Sequence, residues 1–126
     1  MFEVTVVGHF RACHQLRNDD GTLEPLHEHE WNVKVCYFGH ALDQRGLLVD
    51  FAVLRTWLNR LLNTFEGKNL NELPAFTQQN PSAENVAAFL AGMIPLDLSN
   101  IARPRWVEIE EEPGCVARYY PRGVQG

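Results

Sequence analysis

The chain has 126 residues, 45% of them apolar and 21% charged, and 11 Lys and Arg against 16 Asp and Glu give a formal charge of −5. That length suits one domain with its own core, and the acidic balance argues against a surface built to neutralise nucleic-acid phosphates or anionic lipid. No apolar run reaches the roughly 20 residues that cross a bilayer, and MFEVTVVGH has neither a basic region nor a long apolar stretch, so the sequence predicts a soluble cytoplasmic protein.

Residues 2–16 read as a strand in which Val4, Val6, Phe10 and Ala12 share one face at period two, with His14 on the same face. Residues 17–26, RNDDGTLEPL, collect turn formers and connect it, with Asp20-Gly21 near the tip, to a second strand at 27–38. There His27, His29, Trp31, Val33, Val35 and Tyr37 take one face, and Glu28, Glu30, Asn32 and Lys34 the other. Phe51, Leu54, Leu58, Leu61, Leu62 and Phe65 repeat at helical spacing, and Gly67 suits the C′ position of that helix. Pro74 and Pro81 exclude a long regular element over 68–81. Ser82 then caps a second helix that turns Val86, Phe89, Leu90 and Met93 inward, with Pro95 at its end. PRWVEIEEEPGCVARYYP reads as two short strands around Pro113-Gly114, with Val107, Ile109 and Glu111 on one face of the first.

The order ββααββ, with no repeat, low-complexity tract or linker, predicts a single α+β domain over 1–126. Four strands leave two open edges, which invite assembly around a closed ring. Cys13, Cys36 and Cys115 are odd in number and show no close pairing, so they read as free thiols.

The histidines carry the chemistry. His27 and His29 stand two apart on a strand, on one face and about 6.6 Å apart along the backbone. If the first two strands pair as an antiparallel hairpin, His14 ends one where His27 begins the other, and three imidazoles meet beside the loop. Three His ligands with an open fourth position describe a catalytic zinc site. The alternative is a set of histidines at a solvated strand end, hydrogen-bonded to Glu28, Glu30 or Asp19. His9 and His40 lack such partners in the pattern and read as structural.

FRACHQL, LHEHEWNVKV, RGLLVDFAVLR, KNLNE, NPSAENVA and VEIEEEPGC together resemble the 6-pyruvoyl tetrahydropterin synthase and 6-carboxytetrahydropterin synthase family over nearly the whole chain. The resemblance implies the tunnelling fold: a four-stranded antiparallel sheet with two helices on one face, three subunits closing a β-barrel, and two trimers commonly stacking into a hexamer. Active sites would lie between subunits. It also implies zinc on His14, His27 and His29, although the family's usual His-Gly-His is here His27-Glu28-His29, with Glu28 pointing away from the ligand face. Glu111 would anchor the pterin ring by paired hydrogen bonds, Glu110 being the second choice, and Ser82 in NPSAEN would line the pocket or serve simply as a helix cap.

Two positions depart from the pattern. The resemblance implies a Cys four residues before the His pair, where this chain has Leu23, and an Asp-His pair where it has Glu66 and Gly67. Leucine moves no proton and glycine supplies no base. Cys13 falls on the face opposite His14 and reads as packing, and Glu66 as a surface residue. Glu24, however, fits the E-x-x-H-x-H register of a third class, which cleaves a dihydroneopterin side chain to 6-hydroxymethyl-dihydropterin. Glu24 would then be the catalytic base. Two other readings stand beside this zinc-dependent lyase: a non-catalytic pterin- or purine-binding homologue, and a 6-carboxytetrahydropterin synthase of 7-deazaguanine biosynthesis.

Overall fold

Alternation of inward apolar and outward residues, broken near the end of the second by buried Cys36, builds the two longest strands of the computed structural model, which describes residues 1–121. Strand β1 (Phe2–His14) and strand β2 (His27–Gly39) run antiparallel from Phe2 opposite Gly39 to His14 opposite His27. Helix α1 (Phe51–Asn63), strand β3 (Lys68–Asn69), two 3-10 turns at Leu70–Glu72 and Pro74–Phe76, helix α2 (Ala83–Ala91), strand β4 (Arg103–Glu112) and strand β5 (Cys115–Tyr119) follow. The sheet order is β3-β1-β2-β4-β5.

The sheet has five strands where four antiparallel ones are expected, because β3 adds a two-residue parallel rung beside Ala12 and Cys13. Its cause lies at Glu66 and Gly67. Gly67, at φ 74°, is not the C′ residue of α1, which ends earlier at Asn63; it turns the chain back onto β1. Its N–H donates to the Arg11 carbonyl at 2.7 Å, and Glu66 Oε1 accepts the Arg11 N–H at 3.1 Å. Glu66 is exposed, as a surface residue should be, yet it also satisfies an edge peptide of β1.

Both helices cover the face carrying Val6, Phe10, Ala12, Trp31, Val33, Val35, Val107 and Ile109 in one core cluster. Asp50 caps α1 by accepting the Ala52 N–H at 2.9 Å, and Leu54, Leu58 and Leu62 press that helix on β1. Truncating one of these leucines to alanine would cost about 2–5 kcal/mol. Ser82 caps α2 by accepting the Asn85 N–H at 3.1 Å. Phe51 and Met93, expected inward, are 50% and 39% exposed. Phe51 shares the helical face of Leu54, Leu58 and Leu62 but stands at the first position of α1, and Met93 follows the end of α2 at Ala91.

On the opposite face Glu108, only 8% exposed, sits between Lys34 Nζ at 3.8 Å and Arg118 Nε at 2.9 Å, with the Arg118 guanidinium over the Trp106 ring. Cys13 is half-buried there, with its Sγ 4.0 Å from Glu28 Oε2. Cys13, Cys36 and Cys115 are free thiols. No helix among the described residues is long and apolar enough to cross a membrane.

Candidate metal centre

The β1–β2 register puts His14 opposite His27 and Ala12 opposite His29, so three imidazoles leave the same face at one end of the ladder. Ring centroids are 4.5 Å apart for His14 and His27, 5.2 Å for His14 and His29, and 4.7 Å for His27 and His29. Trp31 closes the apolar side, its ring 4.8 Å from His14 and its indole N–H donating to the Ala12 carbonyl at 3.2 Å.

Two backbone carbonyls set the tautomers. His14 Nδ1 donates to the Pro81 oxygen at 2.8 Å, and His27 Nδ1 donates to the Pro25 oxygen at 2.8 Å. A carbonyl only accepts, so each Nδ1 carries a proton, and in the neutral form of each ring the lone pair is on Nε2. These contacts replace the Glu28, Glu30 and Asp19 partners that the alternative reading requires; Glu28 instead faces Arg11 Nε at 3.7 Å and Cys13 on the other side of the sheet.

His14 Nε2 is buried and makes no hydrogen bond, although Glu111 Oε1 lies 2.8 Å away. Burial pushes the His14 pKa down, against the upward pull of the Pro81 carbonyl and the Glu111 carboxylate. A neutral imidazole presents a lone pair to that carboxylate oxygen, and two acceptors so close repel unless a cation lies by them. One ligand atom from each of His14, His27, His29 and Glu111 falls within 4.8 Å of all the others. Three imidazole nitrogens with a fourth position open suit zinc, so His14, His27 and His29 fit the metal, and the Glu111 carboxylate borders them.

Glu111 reaches the cluster through a β-bulge. Glu110 pairs with Val116 and Glu112 with Cys115, which leaves Glu111 as the extra residue, and such insertions re-aim side chains. Glu110 goes elsewhere: its oxygens accept from Asn32 Nδ2 at 3.4 Å and from the Gly114 N–H at 3.3 Å. Glu24 lies at the rim, a third exposed, with Oε1 3.9 Å from His27 Nε2 and accepting the Leu16 N–H at 3.0 Å. Ser82 follows Pro81, whose carbonyl holds His14, but its hydroxyl is committed to the α2 cap. Leu23 is 52% exposed in the loop. Sequence reasoning missed the Pro25 and Pro81 carbonyls, which no local pattern marks as ring acceptors. It also missed Asn71 and Asn80, whose side chains grip the backbone just past His14.

A family model described as 6-pyruvoyl tetrahydropterin synthase matches residues 3–122. The 6-carboxy-5,6,7,8-tetrahydropterin synthase of Bacillus subtilis is 27% identical over 135 aligned positions, covering 99% of this chain and 90% of that protein. Among solved structures, the 6-pyruvoyl tetrahydropterin synthase of Caenorhabditis elegans superposes with a TM-score of 0.76 at 22% identity, over 95% of each chain. The Plasmodium vivax enzyme, in a variant whose catalytic glutamate is replaced by alanine, gives 0.75 at 14% identity over 95% of this chain and 97% of its own.

Proposed function

The chain belongs to the 6-pyruvoyl tetrahydropterin synthase family, and from that premise we propose that residues 1–126 form one cytoplasmic, zinc-dependent lyase domain acting on a dihydropterin side chain. The substrate is 7,8-dihydroneopterin triphosphate or a close relative, and the reaction a retro-aldol cleavage to 6-hydroxymethyl-dihydropterin. One observation carries the metal: a buried His14 Nε2 with no hydrogen-bond partner, beside two further imidazoles. His14, His27 and His29 would hold zinc, which when bound polarises the oxygen atoms of the substrate side chain.

The remaining work falls to the chain's own carboxylates. Glu111 accepts paired hydrogen bonds from the 2-amino and ring N–H groups of the pterin and so fixes the ring. Ser82, at the N-terminus of α2, lines the same pocket, and Glu110 supports the bulge that aims Glu111. Glu24 takes the proton of a side-chain hydroxyl. The carbon–carbon bond next to that carbinol then breaks, an aldehyde leaves, and the electron pair passes into the conjugated ring until the remaining carbon regains a proton. Support for a carboxylate base comes from the Plasmodium vivax relative, whose catalytic residue is also a glutamate.

The assembly is proposed to be a trimer or hexamer with its sites between subunits. The long edge of β1 beyond the β3 rung supports this, as does the edge of β5, since both strands offer unpaired peptide groups. The Bacillus subtilis relative favours a second reading, 6-carboxytetrahydropterin synthase, against which the side chain of Leu23 offers no base. Incubation of zinc-loaded protein with dihydroneopterin triphosphate, read by mass spectrometry, separates the outcomes. Glu24-dependent 6-hydroxymethyl-dihydropterin is expected; a carboxylated pterin would replace this reading with the synthase, and bound but intact substrate with a non-catalytic binder.

A further inference from the structure

Beyond His14 the chain leaves the β1–β2 ladder and keeps an isolated antiparallel bridge, Arg17 to Leu23, on one side, yet its peptide groups are paired one after another. Gln15 donates its N–H to Asn71 Oδ1 at 2.9 Å and accepts from Asn71 Nδ2 at 2.8 Å. Arg17 does the same with Asn80, its N–H reaching Oδ1 at 2.8 Å and its carbonyl accepting from Nδ2 at 3.2 Å. Leu16, between them, faces the other way: its N–H reaches Glu24 Oε1 at 3.0 Å, and its carbonyl accepts the Glu24 N–H at 3.0 Å. That is the alternation of a central strand, with two side-chain amides standing where a neighbour's peptides would be.

The two amides are themselves held. Asn71 sits in a turn in which Asn69 Oδ1 accepts its N–H at 3.0 Å. The Asn80 carbonyl accepts from Asn85 Nδ2 at 2.8 Å, and the next carbonyl, of Pro81, holds the His14 ring. Asn80 therefore touches the site from two sides. Through Arg17 and Leu16 it fixes the backbone that Glu24 grips, and through the adjoining Pro81 carbonyl it fixes the face and tautomer of His14.

We propose that Asn71 and Asn80 are positioning residues that extend β1 by side-chain pairing and thereby hold His14 and Glu24 in their working orientation. The KNLNE and NPSAEN segments thus act as two artificial rungs of the sheet. Partners one step out from metal ligands commonly change metal affinity by about ten- to a hundredfold when removed. The inference rests on the reading of His14 as a metal ligand only for that part of its test.

The test uses Asn80→Ala in the full chain, with Asn18→Ala as control, because Asn18 bonds Thr22 within its own turn and touches neither histidine nor Glu24. In metal-free protein, the ring-nitrogen NMR shifts of His14 are expected to show the Nδ1-protonated tautomer in wild type and Asn18→Ala, and a mixture in Asn80→Ala. Zinc affinity by chelator competition is expected to fall about ten- to a hundredfold in Asn80→Ala alone. Unchanged tautomer and unchanged affinity in a folded Asn80→Ala would overturn the inference. Failure of wild type to bind zinc would instead remove the metal reading and leave the tautomer result to decide. Should Asn80→Ala not fold, amide hydrogen exchange of the wild-type chain decides: protection at Gln15 and Arg17 is expected, and exchange at both as fast as in an open loop would overturn the rungs.

Discussion

His14 Nδ1 lies 2.8 Å from the carbonyl oxygen of Pro81, so the last residue of β1 is tied by its ring to the residue before the α2 cap. The bond commits one nitrogen as donor and leaves the other, buried, with no partner of its own. In the metal-free protein the folded state disfavours a proton on this ring, since burial lowers its pKa from 6.5. A group so shifted contributes its full share of stability above about pH 6.5 and loses it as the pH falls further. Thermal melting of metal-free protein should show a Tm that declines below pH 6.5, less steeply in His14→Gln. Superimposable profiles would contradict the neutral, buried ring.

Glu24 is proposed as a base, its Oε1 3.9 Å from His27 Nε2. Glu24→Gln should lower kcat by about 10²–10⁴-fold while leaving KM nearly unchanged, the magnitude of a lost proton-transfer residue. Steady-state kinetics with a dihydroneopterin substrate measure both, and a rise in KM at constant kcat would reassign Glu24 to substrate binding.

Glu111 faces the cluster from a bulge, a quarter exposed. If it anchors the ring, Glu111→Gln weakens pterin binding by about 1.5–3 kcal/mol, the worth of hydrogen bonds to a charged acceptor. Fluorescence titration with a pterin reads this directly. The matching change at Glu110, which bonds Asn32 and the Gly114 N–H, should leave affinity near wild type.

A packing prediction concerns the far end of β2. A Cβ on Gly39 would run into the backbone carbonyl of Ile101 and crowd Leu48, and backbone cannot rotate away as a side chain can. Gly39→Ala should therefore cost about 1–3 kcal/mol in urea denaturation. A stability equal to wild type would mean that the 101 segment shifts freely.

The strands and the meeting of the three histidines were legible because period-two alternation is a local property and the hairpin register follows from it. Ser82 was legible as a cap for the same reason. What escaped was non-local. The β3 rung depends on Gly67 finding the Arg11 carbonyl, a contact spanning more than fifty residues that no spacing encodes. Phe51 and Met93 escaped because helical period alone does not say where a helix starts and stops against its core. The carbonyls of Pro25 and Pro81 escaped because every residue has a carbonyl, and only the folded chain chooses which two face an imidazole. Leu23 and Gly67 were visible as departures, and in the structure neither side chain offers a proton-transfer group to the site.

The central claim is that His14, His27 and His29 form one zinc site. It is tested most directly by equilibrium titration of metal-free protein with zinc against a chromophoric chelator, beside His14→Ala and His27→Ala. The account predicts one tightly bound ion per chain in wild type and its loss in both variants, since two imidazoles hold zinc far more weakly than three. Wild type that competes no better than the variants would contradict it.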